Sequence, residues 1–160
     1  MTPQVQQINV KPDTPGEVGL PKMAVELSNV TVSGIDGDYN RFRKKKKNND
    51  PEMAIMILCT DILSQLNQEG WPVQPGDLGE NLTLTGMDYA SIEPGQQYKI
   101  GDVTLEISII CDPCSNLYTL PYVGTERGPA FIKTLMNRRG WYARVLTPGT
   151  IKSGDSVTIL

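Results

Sequence analysis

The chain has 160 residues, of which 39% are hydrophobic, and it carries a formal net charge of −3 at pH 7. This length suits one domain with its own core, and the negative charge excludes an overall electrostatic attraction to nucleic acid. No apolar run approaches the roughly 20 residues of a membrane-spanning helix, so we expect no membrane association. The chain contains no histidine, which excludes Ser-His and Cys-His catalytic pairs and the commonest zinc ligand.

Glycine, proline and cysteine usage narrows the fold class and the compartment. The 15 glycines and 12 prolines are more than long helices tolerate, so they favour a mainly β fold. The N-terminus lacks the basic start and the apolar stretch of a signal peptide. Three cysteines, an odd number, in a chain without an export signal predict reduced thiols and a cytoplasmic location.

The N-terminal part of the chain predicts short strands. We expect residues 1–18 to form an N-terminal arm or a first strand, with strand structure around residues 5–10. Residues 23–32 alternate between apolar and polar side chains but slip by one residue at Ser28–Asn29. A slip of this kind predicts a β-bulge.

Two helices are predicted later in the chain. The apolar run 53–58 predicts a buried strand, and Thr60 then offers an N-cap for a helix that ends at Gly70. Pro129 predicts the start of a second helix, which ends at Gly140. The predicted buried faces are Ile62, Leu63 and Leu66 in the first helix and Phe131, Ile132, Leu135 and Met136 in the second.

Strand signals fill most of the remaining chain. Alternating apolar residues mark strands after residue 81 and over residues 103–109, and residues 141–146 and 157–160 predict two more. Eight or so short strands separated by turns, with two or three short helices, describe a β-barrel-like domain over residues 19–160.

One segment is strongly basic, with Arg41, Arg43 and four consecutive lysines at 44–47. It is either a patch for phosphate or another anion, or a solvated loop whose like charges repel one another. For the lysines we favour the solvated loop, because anion sites depend on geometry more than on runs of charge. For the two arginines both interpretations stay open.

Two segments place polar or reactive groups at strand ends. Residues 75–85 form a glycine turn followed by a strand, so Glu80 and Asn81 lie at the strand mouth, where a carboxylate and an amide could orient a bound group. The second segment is Cys111-Asp-Pro-Cys114, where the proline ends an alternating strand. It delivers Cys114 to the end of that strand.

The Cys-x-x-Cys pattern allows several interpretations. A zinc site needs more ligands than Cys59 alone supplies, and a redox dithiol normally opens a helix in a βαβ context that is missing here. A single thiolate could instead bind a transition metal or carry sulfur as a persulfide. Two small apolar side chains at a strand end are the remaining alternative. Cys59, in an apolar context, is interpreted as an inert packed thiol.

An ordered set of motifs resembles the MOSC domain (molybdenum cofactor sulfurase C-terminal domain), and the chain looks like a free-standing, single-domain member of that family. The resemblance covers nearly the whole chain from about Gly19 onward. The motifs that carry it are Gly19-Leu-Pro-Lys22, Gly37-Asp38, Gly76-Asp-Leu-Gly-Glu-Asn-Leu-Thr83, Gly86-Met-Asp88, Ile100-Gly-Asp102, Pro113-Cys114, Gly140-Trp141 and Val157 to Leu160.

The resemblance implies a MOSC-type β-barrel with small helical additions and a site for the molybdenum cofactor. In such proteins a cysteine at the position of Cys114 is implicated as the metal ligand or as a sulfur carrier, and Cys111 is secondary. The cofactor is an anionic pterin with a dithiolene and a phosphate, so it needs hydrogen-bond donors and cations. The residues proposed to bind it are Lys22, Arg41, Glu80, Asn81, Arg127 and Arg144.

The family suggests a small molybdenum-dependent reductase of N-hydroxylated compounds, in which Cys114 ligates the metal and an electron-donor protein supplies electrons. One alternative is a carrier of sulfur or cofactor that uses a Cys114 persulfide and a donor or acceptor protein. Another is a binding module without chemistry. We expect no pyridoxal phosphate on this chain, because 160 residues leave no room for a desulfurase domain. A homo-oligomer is compatible with all three.

Overall fold

The computed structural model describes residues 1–40, 43–44 and 47–160. Helices α1 (Thr60–Gln68) and α2 (Gly124–Leu135) accompany short 3-10 helices at Pro51–Met53, Tyr89–Ser91 and Ser115–Thr119. The strands described in these residues are β1 (Gln4–Val10), β2 (Met23–Val25), β3 (Leu27–Thr31), β4 (Gly34–Ile35), β5 (Ile55–Cys59), β6 (Leu82–Thr85), β7 (Gln97–Ile100), β8 (Val103–Ile110), β9 (Trp141–Thr147), β10 (Gly149–Lys152) and β11 (Val157–Ile159).

The strands form two sheets, which confirms the mainly β fold class. The larger sheet has the order β11-β7-β8-β9-β5-β6-β1-β2, and the smaller has the order β10-β3-β4. The pairing of β5 with β6 is parallel, and α1 lies in the connection between them. The neighbouring β5–β9 and β8–β9 pairs are antiparallel.

The sheets are not closed into a barrel, so the predicted barrel is corrected to an open arrangement. Strand β2 pairs only with residues 8–10 of β1. Over the first residues of β1 the same edge meets the turn before β11, through a bridge between Gln4 and Ser156. The edges of the large sheet therefore approach each other without a continuous ladder of hydrogen bonds.

The bulge predicted at Ser28–Asn29 is wrong. Strand β3 alternates regularly, with Ser28 and Val30 buried and Leu27 56% exposed. The chain instead breaks at Glu26, between β2 in the large sheet and β3 in the small sheet. The shift in the apolar pattern records this change of sheet.

Helix α1 agrees closely with the sequence, and α2 does not. Ile62, Leu63 and Leu66 are buried as predicted, although the N-cap position belongs to Cys59 rather than Thr60. Helix α2 begins five residues before Pro129, so the proline lies inside it. Its predicted buried face is correct for Phe131 and Leu135, whereas Ile132 is only half-buried and Met136 is 50% exposed.

One main core combines buried side chains of both sheets and of the two helices. Trp71 packs against Phe131 of α2 with 4.6 Å between ring centroids. Cys59 is fully buried in this core, and burial raises the pKa of its thiol to about 12. This environment agrees with its interpretation as a packed thiol. Among the residues that the structure describes, no helix is long and apolar enough to cross a membrane.

Candidate functional site

A cavity of about 320 Å³ lies at the end of β8. The end of β8 and the segment after it form one wall. The other walls come from β5, β9, the turn around Gly79, the segment that leads into β2, residues 39–40 and 47, and the 3-10 helix Pro51–Met53. The lining residues that matter for its chemistry are Lys22, Met56, Gly79, Cys114, Arg139 and Tyr142.

The cavity wall presents the sulfur of Cys114. Strand β8 ends at Ile110, and Asp112 and Pro113 carry the extended chain to Cys114. Cys114 is half-buried and precedes the 3-10 helix Ser115–Thr119, whose Leu117 N–H donates to the Cys114 carbonyl at 3.1 Å. The position of Cys114 after a strand follows the prediction, and the cavity gives its sulfur a place to meet a ligand.

Arg139 is the charged group that contacts Cys114, and it is only 7% exposed. Its Nη1 donates to the Cys114 sulfur at 3.2 Å and to the Asp112 carbonyl at 3.0 Å, and its Nε donates to the Leu78 carbonyl at 3.2 Å. In the described part of the chain Arg139 forms no ion pair with a carboxylate. Burial alone would lower the pKa of Arg139, but the Cys111 and Cys114 thiols leave it raised.

The sequence predictions missed Arg139, because residues 138 and 139 fall in the last turn of the helix predicted to end at Gly140, where arginines complement the helix dipole. The helix ends at Leu135, and Arg138 binds Glu69 at 2.8 Å on the surface. Arg139 points inward to Leu78, Asp112 and Cys114, and the next residue, Gly140, accepts through its carbonyl from the Cys111 N–H at 2.9 Å. No local sequence pattern indicates this neighbourhood, because it depends on the pairing of β8 with β9.

Cys111 is more enclosed than Cys114. It is 2% exposed and packs with Met53, Met56 and Tyr142. Burial raises the pKa of its thiol, and the charge of Arg139 offsets only part of that rise. Within the described residues no group of three or more Cys, Asp or Glu side chains is placed to hold a metal ion.

Lys22 and Asn81 belong to one buried polar network centred on Asp38. The Lys22 ammonium pairs with Asp38 Oδ2 at 2.7 Å, and Asn81 Nδ2 donates to the same oxygen at 2.8 Å. Asp38 Oδ1 accepts from the Lys11 N–H at 2.9 Å, and Asn81 Oδ1 accepts from the Met56 N–H at 3.0 Å. Lys22 and Cys114 both line the cavity. Asn81 is connected to Lys22 through Asp38, to which both side chains donate.

Glu80 is fully buried beneath the turn that supplies Gly79 to the cavity. Its Oε1 accepts from the Gly76 N–H at 2.7 Å and from the Thr83 hydroxyl at 2.9 Å, whereas its Oε2 has no hydrogen-bond partner in the described residues. Desolvation raises the pKa of Glu80 to about 7. Gly76 must be glycine, since its φ is +91° and a Cβ would overlap the Lys22 carbonyl oxygen.

The remaining predicted cations lie elsewhere or outside the described residues. Arg127 stacks over Trp71 at 4.1 Å, and Arg144 binds Glu52 at 3.3 Å and also Glu106. Neither is among the described residues that line the cavity. Arg41 lies outside the described residues, as do Lys45 and Lys46 of the lysine run. A ligand contact by these arginines stays a prediction.

Arg43, by contrast, is 8% exposed. It donates to the backbone carbonyls of Ser33, Asn49 and Asp50, which gives it a structural role.

Comparison with known proteins identifies the family and supports the fold of this chain. The MOSC domain profile matches residues 44–158, which is most of the chain, and the chain therefore belongs to the MOSC domain family. The YuaD protein from Bacillus subtilis has a similar structure, with a TM-score of 0.78, 19% identity, and coverage of 98% of this chain and 94% of that one. YiiM from Geobacillus stearothermophilus is similar with a TM-score of 0.72, 24% identity, and coverage of 99% and 75%. At these identities the similarity establishes the fold alone.

A sequence relative gives a further comparison. A protein named "Reductase" from Gibberella moniliformis (strain M3125 / FGSC 7600) is 36% identical over 88 residues, which are 53% of this chain. The match spans only 15% of the length of that relative.

Proposed function

We propose that this protein binds the molybdenum cofactor in the cavity and acts as a molybdenum-dependent reductase of N-hydroxylated compounds, with Cys114 as the protein's ligand to the metal. The observation that supports it is a half-buried sulfur in a cavity of a MOSC fold, hydrogen-bonded to a buried arginine. The electrons come from a donor protein, and the substrate is a small molecule.

The residues of the cavity suit such a group. A cavity of about 320 Å³ is within the size of small-molecule sites, and a thiolate is a soft ligand of the kind that transition metals bind. Arg139 provides positive charge for an anionic cofactor, and the Lys22 ammonium, which is paired with Asp38, adds a hydrogen-bond donor at the cavity wall. Met53 and Met56 give the cavity an apolar side.

Each residue has a defined part in this proposal. When bound, the cofactor supplies the metal that removes an oxygen atom from the substrate. Cys114 binds that metal, and Arg139 holds the sulfur in place through its hydrogen bond. Asp38 fixes the Lys22 ammonium at the cavity wall, and Asn81 fixes Asp38. The relative named "Reductase" supports this class of reaction.

The test is elemental analysis of the full chain purified from a host that makes the cofactor. Wild-type protein should retain molybdenum, and Cys114→Ser should lose it while its Tm stays nearly unchanged, because serine is close in size but lacks the soft sulfur. Cys59→Ser is the matched control, since Cys59 lies in the core away from the cavity lining. Full molybdenum retention in Cys114→Ser would contradict the assignment.

Peptide mass spectrometry of the same protein preparation tests the second candidate function, a sulfur carrier. The hydrogen bond from Arg139 to Cys114 would also stabilise a persulfide anion on that sulfur. Protein that carries an added sulfur atom on Cys114 by peptide mass spectrometry, without molybdenum, would favour the carrier. Protein with neither would favour a binding module without chemistry.

A further inference from the structure

The two adjacent arginines after α2 lie in opposite environments. Arg138 is on the surface, where both of its terminal nitrogens bind the Glu69 carboxylate at 2.8 Å. Arg139 is 7% exposed and contacts the cavity instead. A buried cation without a carboxylate partner is costly, so such a group usually faces an anion.

Arg139 has an unused donor group. Its Nε and Nη1 are occupied by the Leu78 carbonyl, the Asp112 carbonyl and the Cys114 sulfur, whereas its Nη2 makes no hydrogen bond to any described residue. A guanidinium that has two of its nitrogens fixed presents the third in one direction.

The residue at position 79 leaves this donor uncovered. A Cβ at Gly79 would lie 3.7 Å from Arg139 Nη2 and 3.0 Å from a methyl group of Leu20. Gly79 has a φ of +92°, so the turn itself also requires glycine. Gly79, Cys114 and Arg139 all line the cavity, and the spare donor is therefore beside the reactive sulfur.

We propose that Arg139 makes the cavity selective for anionic ligands, so that the small-molecule substrate which reaches Cys114 carries a carboxylate or another oxyanionic group near its reacting atom. The proposal rests on the proposed function for the identity of the reaction, but the charge selectivity itself does not need molybdenum. Nη2 donates to the anion, while Nη1 keeps the Cys114 sulfur in place.

The other charged groups of the cavity do not replace this role. Lys22 already pairs with Asp38 at 2.7 Å, so much of its charge is neutralised within the protein. Lys47 also lines the cavity but is exposed to solvent, and Asp112 adds an exposed negative charge at the rim. Exposed charges are screened by water and salt, so the buried guanidinium dominates the field near Cys114.

Alkylation of Cys114 by two reagents of similar size tests the proposal without a cofactor. Iodoacetate is anionic and iodoacetamide is neutral, and both transfer a two-carbon group to the same sulfur with loss of iodide. The ratio of their rates therefore reports the charge preference of the cavity and not the reactivity of the thiol. Cys59 and Cys111 are buried, so we expect the reagents to modify Cys114. Tandem mass spectrometry of the peptides checks which cysteine carries the product.

We expect the iodoacetate-to-iodoacetamide ratio at Cys114 of the full chain, made in a host without the cofactor, to exceed that of free N-acetylcysteinamide, an uncharged thiol, by roughly tenfold. Arg139→Met should bring the ratio back to the free-thiol value, and Arg139→Lys should restore part of it, since lysine keeps the charge without the fork. Arg138→Met is the matched control and should leave the ratio unchanged.

Two results would overturn the proposal. One is a wild-type ratio equal to that of N-acetylcysteinamide, which needs no variant and so does not depend on whether Arg139→Met folds. The other is a raised wild-type ratio that persists in folded Arg139→Met protein, with folding checked by circular dichroism. If the protein shows the raised iodoacetate-to-iodoacetamide ratio but retains no molybdenum when its host makes the cofactor, only the proposed function is refuted. Molybdenum-loaded protein whose cofactor-free form shows no charge selectivity would refute only this inference.

Discussion

Replacing Glu80 by glutamine removes an ionisable group from the interior of the protein. The carboxyl group is fully buried, two donors meet its Oε1, and its Oε2 has no partner in the described residues. No cation forms an ion pair with it there. Desolvation raises its pKa from 4.5 to about 7, since the hydrogen bonds from Gly76 and Thr83 compensate for burial only in part.

The sign of the effect on stability follows from proton binding. Below the unfolded pKa of 4.5 the group is protonated in both states, and it contributes no pH dependence. Between 4.5 and about 7 the folded protein holds the proton that the unfolded chain has lost, so stability falls as pH rises. Above that range the loss is complete, and it amounts to about 3 kcal/mol.

Urea unfolding at pH 5 and pH 8.5 measures this cost. Between these two pH values the free energy of unfolding of wild-type protein should fall by about 2 to 3 kcal/mol more than that of Glu80→Gln. The amide has a fixed cost from its own unpaired donors, which cancels in this difference. Glu93→Gln, at an exposed turn, is the control and should behave like wild type. An equal pH dependence in wild type and Glu80→Gln would refute the reasoning.

Three further substitutions test buried contacts in the protein, and urea unfolding measures the change in the free energy of unfolding for each. Asp38→Asn should destabilise by about 3 to 5 kcal/mol because it leaves the Lys22 ammonium buried and unpaired, and adding Lys22→Met should recover part of that loss. Gly128→Ala should cost about 1 to 3 kcal/mol because its Cβ would overlap the Tyr118 ring, whereas a cost near zero would show that the ring moves aside. Leu66→Ala should cost about 2 to 5 kcal/mol, since Leu66 is fully buried, and a smaller cost would mean that the core collapses around the gap.

The elements with strong local signals were predictable from the sequence. The apolar run before Cys59 is a buried strand, and the stripe of Ile62, Leu63 and Leu66 is the inner face of α1. The order of short motifs was enough to indicate the MOSC family, which the profile match confirms. These features depend on neighbours in the chain, and local spacing records them.

Other features depend on partners far away in the sequence. Helix α2 begins at Gly124 rather than Pro129, and the pattern at Ser28–Asn29 marks a change of sheet rather than a bulge. In both cases local signals suggested a boundary or an irregularity, and the packing of whole elements placed it elsewhere.

The sequence by itself determined a mainly β chain whose Cys114 follows a strand and whose Lys22, Asp38 and Asn81 lie in separate motifs. Only the tertiary structure decided that these last three form one hydrogen-bonded network, and that Arg139 rather than Arg138 contacts the sulfur. The two arginines are chemically identical, and their separation into surface and interior depends on how β9 pairs with β8. That pairing joins residues 31 to 43 positions apart, and no local pattern encodes it.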